Sequence, residues 1–325
     1  MTSTTQSRVT RPRQQRVTRA QRENRWFFVF IAPWLAGFVA LTLFPLLVGF
    51  LISLSNYNGL NINTVKFVGL DNYLRAFADR NTLYALQRTI LFTLINVPLS
   101  LGLSFGIALL LTQKIYAQGL FRTLFYIPSI IPIVAGVWIW KLMMDTNSGL
   151  VNGLLSVFRP GTAISWLANY PTFVLLLLAT WAGTGGAMII FLAGLQGVPK
   201  DLEEAALIDG ATIFQMFRLI TLPLMTPVIF YQLILTGIFS LQILVEPILL
   251  GSKGSGADLL STMPPRPNYV YMVHTYNQIF TNQRFGYGTA LLWLLFALIL
   301  ALTLLVFRTS RYWVHYETDQ DGART

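Results

Sequence analysis

The sequence predicts an all-α integral membrane protein with six transmembrane helices, and three observations carry that prediction. Hydrophobic residues make up 54% of the 325 positions and charged residues only 11%, where a soluble domain carries roughly 25% charge. The apolar residues gather into long uncharged runs rather than short alternating ones. Such runs recur near 27–54, 89–113, 120–140, 172–196, 226–250 and 288–307, each close to the roughly 20 residues that cross a hydrocarbon core.

The first 25 residues contain Arg8, Arg11, Arg13, Arg16, Arg19, Arg22 and Arg25 among Ser, Thr and Gln. Nothing there can build a core, so 1–25 is expected to be a disordered basic cytoplasmic arm. The membrane domain is then 26–310, and 311–325 a cytoplasmic tail. The uncharged run from Trp26 to Leu54 exceeds the roughly 7–15 apolar residues of a signal peptide, so it is a retained first span.

The formal net charge is +10. Much of the excess sits in one arm beside a span, which fits membrane orientation and anionic lipid better than nucleic acid. Six crossings put both termini on one side. The arm, Lys114, Arg122, Lys200, Arg218, Arg308, Arg311 and Arg324 then place that side in the cytoplasm. The opposite side holds segments 55–88, 141–171 and 251–287, the last rich in Gly and Pro. Long loops of this kind often carry function.

In span two, Gly102 and Gly106 with Asn96, Ser100 and Ser104 give a close-packing face. In span three, Pro128 and Pro132 predict a kink. Span four carries Trp181-Ala182-Gly183-Thr184-Gly185-Gly186, whose glycines allow close packing or a local break.

Between spans four and five, on the cytoplasmic side, lies the longest polar bridge, Pro199 to Pro223. Pro199 and the acids Asp201, Glu203 and Glu204 mark a helix start. Ala205 and Ala206 propagate the helix, Asp209 follows, and Gly210 stops it. A second helical piece is expected from Thr212 to Leu219, closed by Pro223. The smooth Ala pair suits docking into a groove of a soluble partner; an amphipathic helix lying on the bilayer is the other reading.

Glu204-Ala205-Ala206, then Gly210, then Ile220, Leu222 and Pro223 resemble the EAA loop of ATP-binding-cassette importer permeases at every signature position. The run Leu207 to Ala211 resembles the carbohydrate-uptake branch of that family. Phe67 to Tyr73, Ile127 to Pro132 and Phe285 to Gly288 extend the resemblance over most of the chain. The resemblance implies a type I importer permease fold. It also implies that Glu203, Glu204, Ala205, Ala206, Asp209, Gly210, Ile220, Leu222 and Pro223 couple the chain to a cytoplasmic ATPase dimer. A second permease subunit, usually a different chain, and an extracytoplasmic solute-binding protein are the other implied partners. ATP is bound by the ATPase, so this chain needs no cofactor of its own.

The fifth span offers a substrate path. Gln232, Thr236, Phe239, Gln242 and Glu246 are spaced by 4, 3, 3 and 4 residues, which at helical pitch places them on one face. Polar groups facing lipid are costly, so that face points to a bundle interior or a wet cavity. Interhelical hydrogen bonding explains the same stripe, and Glu246 falls where the permeases this chain resembles often carry an acid, which implies a place in the fold rather than a substrate charge. Asn96 and Trp181 join it as candidates, Trp181 either stacking on a sugar or packing between helices.

Catalytic and metal groupings are absent from the sequence. No G-x-x-x-x-G-K-[ST] occurs, since Gly251-Ser252-Lys253-Gly254 lacks the spacing. There is no H-E-x-x-H and no cysteine. His274 and His315 have no partner at a useful spacing and are expected to be solvated or interfacial. Ion-coupled carriage needs ionisable groups at membrane depth; Arg88, Lys141 and Glu246 all lie near span ends. A carrier or channel acting without an ATPase is the alternative to the importer.

Overall fold

A computed structural model describes residues 19–113, 115–161, 163–252 and 263–315. The chain divides into two compact units, 1–51 and 52–325. Among the described residues the structure is helical, with no strand and one isolated antiparallel bridge, Ser55 to Phe67.

The first unit holds α1 (Arg19–Phe38), a π-helical turn (Val39–Leu43) and the start of α2 (Phe44–Ser53). The helix already begins at Arg19, so the end of the expected disordered arm is helical; Arg, Ala, Gln and Glu there are good helix formers. The rest of the arm lies outside the described residues, as do 316–325 of the tail and 253–262 of the last long loop.

The second unit continues with α3 (Asp71–Ala78), α4 (Arg80–Thr112), α5 (Gln118–Ile130), α6 (Ile133–Met143), α7 (Leu150–Phe158), α8 (Trp166–Asn169) and α9 (Pro171–Gln196). It ends with α10 (Lys200–Ile208), α11 (Ile213–Met216), α12 (Leu222–Leu241), α13 (Val245–Gly251), α14 (Tyr271–Tyr276) and α15 (Phe285–Ser310). Among the described residues, 5 helical segments are long and apolar enough to cross a membrane, and the pair α5–α6 makes a sixth span if its two arms count as one. Helix α9 packs along α4, with α5 and α12 beside them.

Of spans three to five, the third and fifth are broken and the fourth is not. Span three bends by 102° between α5 and α6. Pro132 disfavours the α conformation at the residue before it, and Ile131 is extended there (φ −65°, ψ 127°). Span four runs unbroken, and Gly185 is the glycine there that serves packing: a Cβ on it would collide with Ser129 Oγ and the Phe125 carbonyl. Span five was expected as one helix over 226–250. It instead runs from Ile213 to Leu241, breaks at 242–244, and restarts as α13. The restart leaves Pro247 in the first turn of a new helix, where its missing donor is tolerated.

Pro223 does not close the second helical piece of the polar bridge. A π-turn, Phe217–Thr221, leads straight into α12, with the Leu222 N–H donating to the Phe217 carbonyl. The first unit repeats the device: Phe44 N–H donates to the Val39 carbonyl, and Pro45 follows. In both, the widened turn shifts the hydrogen-bond register just before the proline, so the helix continues.

Three apolar clusters hold the second unit together. One, near the long loops, joins Phe92, Val137, Val174, Leu178, Ile248 and Val273. A second, near the polar bridge, joins Ala108, Leu111, Met188, Phe191 and Met225. The third packs α3, α14 and α15 through Ala76, Tyr271 and Leu291. Beside this third cluster lies His274, expected to be solvated or interfacial; it is not solvated, being only 1% exposed. Its Nε2 is 2.9 Å from Thr82 Oγ1 and its Nδ1 2.9 Å from the Tyr269 hydroxyl. These partners are remote in sequence or on another turn, which spacing could not reveal. Burial pushes the imidazole pKa below its ordinary value, and the Asp79 carboxylate opposes that shift. For Asp79 itself burial raises the pKa, but the Asn81 N–H, His274, Tyr287 and Thr82 together outweigh it and leave the group below the usual carboxylate value.

Candidate functional site

Two features of the second unit stand out, a polar bridge at one end of the bundle and a cavity among the spans. The bridge begins at Pro199, which caps α10 from outside with extended backbone; Asp201 and Glu203 occupy the first turn, where the helix dipole favours them. At the far end the Gly210 N–H donates to the Leu207 carbonyl and the Ala211 N–H to the Ala206 carbonyl. That pair of bonds is a Schellman cap, and it requires Gly210 at φ +80°. Thr212 then opens α11 with a capping box to Gln215.

The bridge presents an apolar crest. Ile208 is 87% exposed, Ile213 80% and Phe214 69%. Glu204, Ala205, Asp209 and Gly210 are exposed beside it, while Ala206 is half-buried. Ile220, Leu222 and Pro223 are half-buried in the continuous helix that follows. Glu203 and Lys200 face a cleft of about 1030 Å³, walled also by Gln113, Gln118, Arg122 and Phe217. The buried Arg122 Nε in that wall has no acceptor among the described residues.

The cavity has a volume of about 610 Å³ and lies between α4, α9, α12 and α13. Gln232, Thr236, Phe239, Gln242 and Glu246 all line it. They reach it from a broken path and not from one helical face, since Gln242 caps the end of α12 and Glu246 lies in the first turn of α13. The break keeps the stripe together by turning the chain back toward the same space. Asn96, Ser100 and Ser129 contribute from spans two and three.

Asn96 is only 6% exposed and serves as a polar bridge in the wall. Its Nδ2 donates to Ser240 Oγ at 3.4 Å, and Thr180 Oγ1 donates to its Oδ1 at 3.5 Å. Gln232 Nε2 donates to the Ala187 carbonyl at 3.3 Å. Packing and cavity lining are thus combined in the same residues. Trp181 is not a lining residue: it packs edge-on to Trp140 at 6.0 Å and against Gly136. Helical spacing placed it on span four correctly, but the adjacent Ala182 and Gly183 are what face the space.

Lys141 supplies support that the sequence did not reveal. Its Nζ donates to the carbonyls of Leu249 and Ser252 at 3.2 and 2.6 Å. A cation at the end of α13 complements that helix's carbonyls. It anchors α13, and with it Glu246, to the bent third span.

Residues 99–316 match the family described as binding-protein-dependent transport system inner membrane component. The chain belongs to this family. The permease is 35% identical over 306 residues to the probable ABC transporter permease protein YesP of Bacillus subtilis (strain 168), covering 93% of this chain and 95% of the relative. It is 32% identical to the trehalose/maltose transport system permease protein MalF of Thermococcus litoralis, covering 90% and 95%. A bacterial alginate ABC transporter, solved with an alginate pentasaccharide-bound periplasmic protein, matches the permease with a TM-score of 0.74 at 20% identity, over 89% of this chain and 95% of that one. The shared fold is that of importer permeases. The permease is a multi-pass membrane protein and a transport subunit, not an enzyme.

Proposed function

We propose that this permease forms half of the translocation pathway of an ATP-driven importer for a sugar or oligosaccharide. A second permease subunit completes the pore, a cytoplasmic ATPase dimer drives it, and an extracytoplasmic binding protein delivers the solute. The relatives named for trehalose/maltose and lactose transport support the solute class. Amino and carboxyl termini are cytoplasmic, which the basic residues around the arm, the polar bridge and the tail support.

The observation that carries this reading is the bridge between α9 and α12. It is a short helix, rigidly capped at Gly210, with Ile208, Ile213 and Phe214 held out toward solvent. Exposed apolar side chains on a rigid polar loop fit a groove on a soluble partner. Because α11 continues without a break into α12, a push on the bridge moves span five as a lever. Span five carries Gln232, Thr236 and Phe239 into the cavity wall. ATPase closure would thereby change the cavity's shape, and the chain itself performs no covalent chemistry.

Reconstitution tests the reading. Proteoliposomes with the permease pair, the ATPase and the binding protein take up sugar only with internal ATP, and the permease pair alone is silent. Uptake by the permease pair without the ATPase, driven by an ion gradient, would establish a self-sufficient carrier instead.

A further inference from the structure

The cavity wall has an unbalanced chemistry. Among the described residues that line it Glu246 is the one charged group, and no described Lys, Arg or His lines the space. The nearby cation, Lys141, is committed to the carbonyls of Leu249 and Ser252. The wall's amide donors are also partly spent: Asn96 Nδ2 on Ser240 and Gln232 Nε2 on Ala187. What faces a solute is the Glu246 carboxylate, which only accepts, Gln232 Oε1, and the hydroxyls of Ser100, Ser129 and Thr236, which donate and accept, with Gln242 offering both kinds. Phe92 and Phe239 supply apolar faces.

Given the reading of this cavity as the solute path, we infer that it selects by charge. It takes an uncharged saccharide, whose hydroxyls donate to Glu246, and it rejects sugars bearing carboxylate or phosphate. An anionic sugar would meet a like charge with no cation on this wall to offset it, in a space of reduced dielectric. A neutral sugar has hydroxyls that can donate to the carboxylate and aliphatic ring faces for the two phenylalanines. The structural likeness to an importer of acidic alginate therefore does not extend to solute charge.

The absence of cysteine from this chain makes a direct test available. Thr236→Cys is introduced into the whole transporter with its partner subunits made cysteine-free. Modification rates are measured with a cationic and an anionic methanethiosulfonate of similar size. The ratio of rates is compared with that for free 2-mercaptoethanol, which fixes the intrinsic reactivity. The cationic reagent is favoured by about tenfold beyond the intrinsic ratio, and Glu246→Gln returns the ratio to the intrinsic value. Gln242→Cys serves as a second reporter should the first disturb assembly. An intrinsic ratio with Glu246 intact, or a cation preference that survives Glu246→Gln, overturns the inference. Failure of the importer reading shows separately, as uptake without ATPase, and leaves the thiol ratio unchanged.

Discussion

Lys141 donates to the Leu249 carbonyl at 3.2 Å, and this contact ties the bent third span to the short helix that carries Glu246 in its first turn. The two residues are 108 positions apart in the chain. Their contact makes the position of an acid on the cavity wall depend on a lysine that does not touch the cavity.

Lys141→Met tests that dependence. The apolar stem is kept, and the charge-assisted bonds to Leu249 and Ser252 are lost. A hydrogen bond from a charged group contributes about 1.5–3 kcal/mol. The thermal midpoint of the detergent-purified permease falls, and uptake falls with it. A variant with unchanged midpoint and unchanged uptake would show that α13 is held by packing alone.

The glycines of span four differ in what surrounds them. Gly185 has no room for a methyl group beside Ser129 and Phe125, whereas Gly183 and Gly186 have nothing within 4 Å and line the cavity. Gly185→Ala therefore separates α5 from α9 and destabilises the fold by about 1–3 kcal/mol. Gly183→Ala leaves stability intact and narrows the cavity. Thermal unfolding of the two variants side by side distinguishes them, and equal midpoints would contradict the packing described.

The His274 cluster makes stability depend on pH. Burial disfavours the charged imidazole in the folded protein and holds its pKa below the ordinary 6.5, against the pull of Asp79. The unfolded chain binds the proton first, so the neutral ring's contribution is fully present above about pH 6.5 and is lost as pH falls through the folded value. Asp79, whose pKa is also lowered, loses its contribution only at still lower pH. The melting temperature of the wild type drops on acidification from about pH 8 to 5.5, and His274→Gln flattens that slope. A wild-type melting temperature that is level across this range would rule out the neutral ring as a stabilising group.

At Gly210 the backbone conformation sets the tolerance. A positive φ costs a residue with a Cβ about 1–2 kcal/mol, and Asn less than most. Gly210→Asn keeps the cap, while Gly210→Val breaks it and reorients Ile213 and Phe214. The reconstituted complex with Val inserts normally but loses solute-stimulated ATP hydrolysis. Equal stimulation in both variants would mean that the cap has no part in coupling.

The sequence made the membrane class, the number of apolar runs and the helix-stop at Gly210 legible because each rests on a local property: run length, composition, or one residue's allowed backbone. It misplaced the events that depend on neighbours. The break at 242–244 was hidden because Gln242 and Glu246 keep helical spacing with Gln232, although Pro247 was a local signal for a restart. Pro223 read as a terminator because a π-turn can absorb the missing donor and leaves no composition signal. His274 read as solvated or interfacial because Thr82 and Tyr287, which close its network, are far from it in sequence or on another helix. Trp181 and Asn96 fell on the correct helices, and only packing decided that Asn96 borders the cavity while Trp181 meets Trp140.

The claim on which the rest stands is that the bridge from Pro199 to Pro223 faces the cell interior, where an ATPase can grip it. Ala205 is exposed on that bridge, and the chain has no cysteine of its own. With Ala205→Cys, a membrane-impermeant maleimide labels the permease in inside-out vesicles and not in intact cells. Labelling in intact cells would put the bridge outside and contradict the proposed coupling.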